Sequence, residues 1–153
     1  TYDGHFPALK HDSTSLHTAA CACAKNLMFS PREMFVTGGA GFIGSNLVHE
    51  LNRRGHQVRA LLRPGADLRG MAGADYEAVR GDLFDPSALR FGLKGADWCF
   101  HVAASYHLWL RDYASMYATN VQGTRAAIEA AGLAGCSRIL YTSTVGCMGL
   151  PQK

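Results

Sequence analysis

The stretch from Gly38 to Gly44 has the residue types and the spacing of a phosphate-binding turn. It reads GGAGFIG, matches G-x-G-x-x-G from Gly39, follows the apolar run MFVT and precedes a helical pattern. In that setting one glycine makes the tight turn, another admits the backbone close to a pyrophosphate, and a third lets helix and strand pack closely. The helix N-terminus adds free N–H groups that attract anions. The pattern therefore predicts a dinucleotide-binding loop, and the alternative is a glycine-rich turn without a ligand.

Arg63 lies where dinucleotide-binding folds usually carry an acidic residue. An Asp or Glu about 20 residues beyond the glycine motif normally binds the ribose hydroxyls of NAD. Here the residue 19 positions after Gly44 is Arg63, and the segment from Gln57 to Ala66 has no acidic residue. A guanidinium pairs well with a 2′-phosphate, and Arg69 is a candidate second contact. The pattern therefore favours NADP, with a solvated loop arginine as the alternative.

The elements that position these residues alternate between strand and helix patterns from Met34 onward. The predicted strands are MFVT, QVRALL, YEAVRG, DWCFHVAA and RILYTST. The predicted helices cover about 43–54, the run SALRFGL behind Asp85-Pro86, and about 112–131. This alternation is typical of a doubly wound parallel α/β sheet. With right-handed crossovers we expect the strand order 3-2-1-4-5 and helices on both faces of the sheet.

Two of the predicted helices have a continuous apolar face. Helical spacing places these side chains of the first helix together: Ile43, Leu47, Val48 and Leu51. It does the same for these side chains of the long helix: Tyr113, Met116, Tyr117, Val121, Ala127 and Ile128. We expect both faces to pack against neighbouring elements.

Composition excludes several classes of protein. The chain has 153 residues, 48% hydrophobic and 18% charged, with a formal net charge of +3. This balance indicates one globular domain, neither disordered nor basic enough for nucleic-acid binding. No apolar run is long enough for a membrane span, and the start has no signal-peptide pattern. With five cysteines in no disulfide-like spacing, we expect a cytoplasmic location.

The first 33 residues differ in character from the rest. They show no sustained helix or strand period and do not begin with Met. We expect residues 1–33 to be a flexible N-terminal extension and residues 34–153 to form an incomplete nucleotide-binding domain. The extension carries five residues of the types that bind zinc: His5, His11, His17, Cys21 and Cys23. Their spacing matches no closed zinc pattern, so no metal site is predicted.

Five motifs in order resemble the extended short-chain dehydrogenase/reductase family: TGGAGFIG, GDLFDP, FHVAA, NVQGT and YTST. That family includes nucleotide-sugar epimerases and dehydratases and the dihydroflavonol-reductase-like enzymes. Within it, LLRPGADLRG and HVAASYHLW look most like hopanoid-associated sugar epimerases. The resemblance runs from Met34 to about Leu150 and implies a Rossmann domain, an NAD(P) cofactor and a small-molecule substrate. It also implies a homodimer for the longer parent protein, of which this chain would be the N-terminal half.

The resemblance implies a set of cofactor-binding residues. Asp82 matches the acid that accepts a hydrogen bond from the adenine amino group, and its alternative role is to cap a loop turn. His101 begins a segment that lies along the cofactor's phosphate and ribose, and its alternative role is a satisfied core histidine. The set that the resemblance implies is Gly38, Gly41, Phe42, Ile43, Gly44, Asp82, Leu83, His101, Ala103 and Ala104.

The resemblance also implies catalytic residues, with one departure. Thr144 matches the Ser/Thr that orients the substrate oxygen, and Asn120 matches a helix Asn that bonds backbone near the active site. The family's proton carrier is a Tyr followed four residues later by Lys, which no tyrosine of this sequence has. We therefore interpret the chain as the NAD(P)-binding portion of a sugar epimerase, dehydratase or carbonyl reductase that is inactive alone. The alternative is a non-catalytic NADP-binding module.

Overall fold

The computed structural model describes residues 30–106 and 113–144, and all of these except Ser30 belong to the compact unit Pro31–Lys153. The strands are β1 (Glu33–Thr37), β2 (Gln57–Leu62), β3 (Glu77–Arg80), β4 (Trp98–His101) and β5 (Arg138–Tyr141). The α-helices are α1 (Phe42–Arg53), α2 (Pro86–Leu93), α3 (Tyr113–Tyr117) and α4 (Thr124–Leu133). A 3₁₀ turn covers Arg69–Met71, and a π-helical segment, Ala118–Gly123, joins α3 to α4.

The five strands form one parallel sheet in the order β3-β2-β1-β4-β5, which confirms the predicted fold class and strand order. At its end, β1 pairs Thr37 with Leu61 of β2 and with His101 of β4. Because all strands run in one direction, their carboxyl ends meet at a single edge. Open α/β sheets bind ligands at that edge.

The central strand β1 divides the core into two clusters. Met34, Phe35 and Val36 are all fully buried, as a parallel strand covered on both faces must be. The cluster beneath α1 contains Met34, Val36, Val48, Leu51, Val58, Ala60, Leu62 and Met71. The cluster beneath α2 and α4 contains Phe35, Leu61, Val79, Leu83, Ala88, Leu89, Leu93, Ala96, Cys99, Ala127 and Ala131.

The first helix differs from its predicted face in its first turn. Val48 and Leu51 are buried as expected, but Ile43 is 55% exposed and Gly44 and Ser45 are buried in its place. The first turn of α1 packs its small residues against the loop before it. The larger side chain therefore faces away from the core.

The long helix is interrupted, which corrects the prediction of one continuous α-helix. Between α3 and α4 the backbone follows a π-helical turn. The buried positions are the small residues Gly123, Ala127 and Ala131, whereas Tyr113, Tyr117, Val121 and Ile128 of the predicted apolar face are exposed. Small residues permit close packing, since a Cβ at Gly123 would lie 2.8 Å from Leu83 Cδ1. The buried side of the helix is therefore the side whose small residues allow close packing, and not the side that carries the large apolar residues.

The predicted start of α2 is confirmed. Asp85 caps the helix by accepting hydrogen bonds from the backbone N–H groups of Ser87 and Ala88, at 2.9 and 3.0 Å. Pro86 occupies the first helical position, where no N–H is needed. This cap fixes where the chain turns from the loop Gly81–Phe84 into the helix.

Candidate functional site

A cavity of about 790 Å³ opens at the carboxyl edge of the sheet. A smaller cavity, of about 590 Å³, lies between α2 and α4. We call the larger one the edge cavity. Its size is in the range of small-molecule and cofactor sites. Its walls are Gly38, Ala40, Gly41, Phe42, Ile43, Gly44, Leu61, Leu62, Arg63, Ala66, Asp67, Asp82, Leu83, Phe84, Val102, Ala103, Ala104, Ser105, Tyr106 and Thr119. All the predicted cofactor-binding residues except His101 are in this set.

The glycine loop, residues 38–44, is folded tightly against itself and against the chain that follows β4. Gly38 has φ +71°, and a Cβ there would lie 2.7 Å from the backbone nitrogen of Ala103. A Cβ at Gly44 would overlap the carbonyl oxygen of Gly38. Both positions therefore require glycine, one for its backbone conformation and both for their close approach.

The N-terminus of α1 offers the edge cavity backbone donors that have no acceptor within the helix. Gly41 is the N-cap and provides no side-chain cap, and the first turn has no acidic residue. The first intrahelical bond runs from Ser45 N–H to Gly41 O, at 2.8 Å. The N–H groups of Phe42, Ile43 and Gly44 therefore have no acceptor within the helix. This arrangement fits a pyrophosphate, because the donors and the helix dipole both favour an anion there.

Two residues of opposite charge line the edge cavity beyond the end of β2. Arg63 begins a turn closed by Ala66 N–H to Arg63 O, at 3.1 Å, and Asp67 follows it. The hydrogen bonds from Arg69, the shortest 2.6 Å, lower the pKa of the Asp67 carboxyl, so this group is ionised. Asp67 was not predicted from the sequence, because it lies one position after the segment 57–66 in which an acidic residue was expected.

Arg69 does not take the predicted place beside Arg63. Its guanidinium is paired with Asp67, its side chain is 91% exposed, and it is not among the residues that line the described edge cavity. The reason is local: an Asp two residues before an Arg can accept both its backbone N–H and its side-chain donors.

Asp82 caps a loop turn and also lies in the wall of the edge cavity. Its Oδ1 accepts the backbone N–H of Phe84 at 2.7 Å, which is the turn-capping role. The residue also lines the edge cavity, and the adjacent Leu83 is buried in the core. A carboxylate has about four acceptor positions, so this bond leaves capacity for a further donor.

His101 is a satisfied core histidine. It is fully buried, and both ring nitrogens lie within hydrogen-bond distance of threonine hydroxyls. Burial lowers the pKa of this imidazole, which favours its neutral form. In the segment that begins at His101, Ala103 and Ala104 lie in the wall of the edge cavity, whereas His101 itself lies behind that wall.

Asn120 is bonded to the backbone beside the edge cavity, and Thr144 lies near the same edge of the sheet. The Asn120 side chain donates to Ser105 O at 2.8 Å and accepts from Ser105 N–H at 2.7 Å. Ser105 is in the cavity wall, so Asn120 positions that wall from behind. Thr144 is exposed and follows β5, which ends at Tyr141. Neither Asn120 nor Thr144 is part of the described cavity wall.

The described residues contain neither a metal-binding cluster nor a membrane-spanning helix. Within residues 30–106 and 113–144, no group of three or more His, Cys, Asp or Glu side chains is arranged to hold a metal ion. The helices of this described part are all too short or too polar to cross a membrane. The histidines and cysteines of the first 33 residues lie outside the described residues.

Known proteins are similar to this chain in sequence and in fold. The sequence model of the NAD dependent epimerase/dehydratase family matches residues 34–153. A dihydroflavonol 4-reductase-like protein of Synechocystis sp. is 43% identical over 116 residues, which cover 76% of this chain and 34% of that protein. Sterol demethylase protein B of Methylococcus capsulatus is 37% identical over 118 residues, covering 76% and 36%.

One similar protein of known structure was crystallised with a bound cofactor. The Bordetella bronchiseptica enzyme WbmG, crystallised in complex with NAD, is 29% identical with a TM-score of 0.71, and the match covers 81% of this chain and 41% of WbmG. The chain spans about a third of the length of the curated relatives it matches. Since the family's sequence model covers all of residues 34–153, the chain belongs to the NAD-dependent epimerase/dehydratase family.

Proposed function

We propose that this chain binds NADP, with NAD as the alternative, and forms the dinucleotide-binding part of an enzyme. The enzyme would transfer hydride between the nicotinamide and a carbinol carbon of a nucleotide sugar or carbonyl substrate. The observation that carries the proposal is the edge cavity, where the glycine loop and the N-terminus of α1 form one wall. The NAD complex of the similar WbmG supports it.

The walls of the edge cavity suggest how the cofactor would lie. The N–H groups of the first turn of α1 would bind the pyrophosphate. Asp82, with acceptor capacity left after its bond to Phe84, would accept from the adenine amino group. Ala103 and Ala104 present small side chains along the opposite wall, where cofactor could pass close to the backbone.

The charges beyond β2 support NADP over NAD. Asp67 is paired with Arg69, whereas no ion pair found among the described residues involves Arg63. Beyond the end of β2, the positive charge of Arg63 is therefore not neutralised by any described ion pair. A charge-assisted hydrogen bond to a 2′-phosphate is worth about 1.5–3 kcal/mol, or roughly ten- to a hundredfold in affinity.

A titration of NADPH and NADH against the wild type and Arg63→Leu tests both parts of this proposal. We expect the wild type to bind both nucleotides and to prefer NADPH, and Arg63→Leu to lose that preference. Arg90→Leu is the matched control, since Arg90 is an exposed arginine outside the edge cavity. Equal affinities for both nucleotides in the wild type would contradict the NADP assignment, and no binding of either would contradict the proposed function.

The reaction would depend on Thr144 and on a proton carrier that these 153 residues do not supply. We infer that the Thr144 hydroxyl holds the reacting oxygen of the substrate, since it follows β5 at the ligand-binding edge. No Tyr in the sequence is followed by Lys at the fourth position. A positioned proton carrier contributes about 100- to 10,000-fold, so we expect no turnover from this chain alone.

The alternative function is a non-catalytic NADP-binding module, for which the edge cavity alone would be sufficient. The two functions differ in what the complete protein does with a bound nucleotide. Turnover of a nucleotide sugar or carbonyl substrate by the complete protein, lost in Thr144→Ala with NADPH affinity retained, would establish the enzyme. A complete protein that binds NADPH with no turnover would establish the module.

The proposal also includes a cytoplasmic location and, as the family resemblance implies, a homodimer of the longer parent protein. The long helix supports an interface, because Tyr113, Tyr117 and Val121 are 61%, 62% and 47% exposed on it. Sedimentation velocity over a concentration series tests the assembly. We expect a dimer that Tyr117→Glu dissociates, and a monomer at every concentration would contradict it.

A further inference from the structure

His101 is a buried titratable side chain whose hydrogen bonds and ring stacking together join four elements. Its Nδ1 lies 2.8 Å from the Thr37 hydroxyl at the end of β1. Its Nε2 lies 2.9 Å from the hydroxyl of Thr124, the first residue of α4. The ring stacks on Tyr141 at the end of β5, with 5.5 Å between ring centroids. A purely apolar side chain could fill this space, but it could not hold these two hydroxyls.

Thr37 connects this histidine to the wall of the edge cavity. Thr37 directly precedes Gly38, and its hydroxyl also accepts the backbone N–H of Ala103 at 3.3 Å. Gly38 and Ala103 are at closest approach here, because a Cβ on Gly38 would lie 2.7 Å from that same nitrogen. The Thr37 hydroxyl therefore lies where the glycine loop meets the opposite wall of the edge cavity.

The hydrogen-bond pattern assigns a direction to each bond. The Thr37 oxygen accepts from Ala103 N–H, so its single proton is available for Nδ1 of His101. Nε2 then carries the ring proton and donates it to Thr124. In the other tautomer both the Nδ1 proton and the Ala103 proton would point at the Thr37 oxygen, and the proton of the Thr37 hydroxyl would need another buried acceptor.

We propose that His101 is a positioning residue for the edge cavity. Through the hydroxyl of Thr37, His101 holds the glycine loop against the Ala103 backbone. The inference rests on the proposed function, since the geometry it protects is that of the cofactor site. His101 does not contact the cofactor in this proposal. It acts through Thr37, and its bond to Thr124 serves to keep the ring in place.

Two variants of His101 separate the two hydrogen bonds. In His101→Asn the amide takes the position of Nδ1 and retains the contact with Thr37. In His101→Gln the amide takes the position of Nε2 and retains the contact with Thr124. Each variant loses one hydrogen bond, so a merely structural role predicts similar melting temperatures and similar NADPH affinities for both. Positioning predicts that NADPH binds about tenfold more weakly to His101→Gln than to His101→Asn.

Thr37 supplies a second pair of variants. Thr37→Val removes the hydroxyl at nearly constant volume, and Thr37→Ser restores it. We expect about tenfold weaker NADPH binding in Thr37→Val and recovery in Thr37→Ser. This pair tests the proposal even where a His101 variant does not fold.

Amide hydrogen exchange at Ala103, measured by NMR without nucleotide, separates this inference from the proposed function. We expect exchange about tenfold faster in His101→Gln and Thr37→Val than in His101→Asn and Thr37→Ser. Equal exchange and equal affinity within each pair would overturn the positioning role. The expected exchange pattern in a protein that binds neither NADPH nor NADH would support the link to the Ala103 backbone while overturning the proposed function.

Discussion

Gly38 and Gly55 form a matched pair that separates backbone strain from the geometry of the edge cavity. Both have a left-handed backbone, with φ +71° at Gly38 and +80° at Gly55. They differ in surroundings, because a Cβ at Gly38 meets the Ala103 backbone, whereas no described atom lies within 4 Å of one at Gly55. Substituting alanine at each position therefore applies the same conformational penalty with and without a collision at the edge cavity.

The structure sets the size of the two effects. An L-residue in the left-handed region costs about 1–2 kcal/mol, which is the whole expected loss of unfolding free energy for Gly55→Ala. In Gly38→Ala the new Cβ also lies 2.7 Å from Ala103 N and 2.8 Å from its Cα, where ordinary contact begins near 3.4 Å. Backbone must move by several tenths of an ångström, and such overpacking adds about 1–3 kcal/mol. The movement occurs where phosphate would bind, so we expect NADPH affinity to fall at least tenfold.

Thermal unfolding and calorimetric titration of the two variants measure both quantities. For Gly55→Ala we expect a melting temperature lowered by roughly 4–8 °C, with NADPH affinity within about twofold of the wild type. For Gly38→Ala we expect a larger drop and the loss of affinity. If Gly38→Ala bound NADPH as tightly as Gly55→Ala, the close approach of the glycine loop to Ala103 would have no role in binding.

Three other perturbations have defined outcomes. Asp85→Ala removes the cap of α2 and should lower the unfolding free energy by about 1 kcal/mol in urea denaturation; no loss would refute the capping role. Burial raises the pKa of the Cys99 thiol to about 12, well above its unfolded value of about 8.5, so stability is lost as pH rises through that window. Between pH 8 and 10 the wild type should lose about 2 kcal/mol more than Cys99→Ala, and parallel curves would contradict this. Asn120→Ala should cost about 2 kcal/mol and speed exchange of the Ser105 amide, with Asn120→Asp, which retains the acceptor, intermediate in exchange rate.

The sequence was sufficient for the sheet and for the glycine loop of the cavity wall, because both depend on local patterns, whereas Asp82, Leu83, Ala103 and Ala104 were expected only from the family resemblance. Apolar runs separated by helical periods determine a parallel sheet, and right-handed crossovers leave few possible strand orders. The glycine spacing identifies the loop at the end of β1 since it reports a backbone requirement that the structure shows at Gly38 and Gly44. Asp85-Pro86 marked the start of α2 for the same reason: a cap is a contact between neighbours in sequence.

The remainder depends on contacts between residues distant in sequence. Helical spacing could group Tyr113, Tyr117 and Val121, but not reveal that the chain interposes a π-helical segment and buries Gly123 against Leu83. Motif position could align His101 with the cofactor segment, but not show that its partners are 64 residues before it and 23 after it. Such burial follows from the paired ends of β1 and β4 and cannot be read from either strand alone.

Affinity for a dinucleotide and the choice between NADP and NAD depend on different parts of the edge cavity. The glycine loop presents backbone N–H groups to the edge cavity. In our proposal Thr37 and His101 hold this loop against the Ala103 backbone, and Asn120 holds Ser105 in the cavity wall. Changes there should weaken NADPH and NADH by the same factor, since both carry the same pyrophosphate. Arg63 and Asp67 line the edge cavity beyond the end of β2, where we propose that the 2′-phosphate of NADP would bind. Changes to those two residues should alter the ratio of the affinities, so the NADPH to NADH ratio, measured across all variants, separates loss of shape from loss of charge recognition.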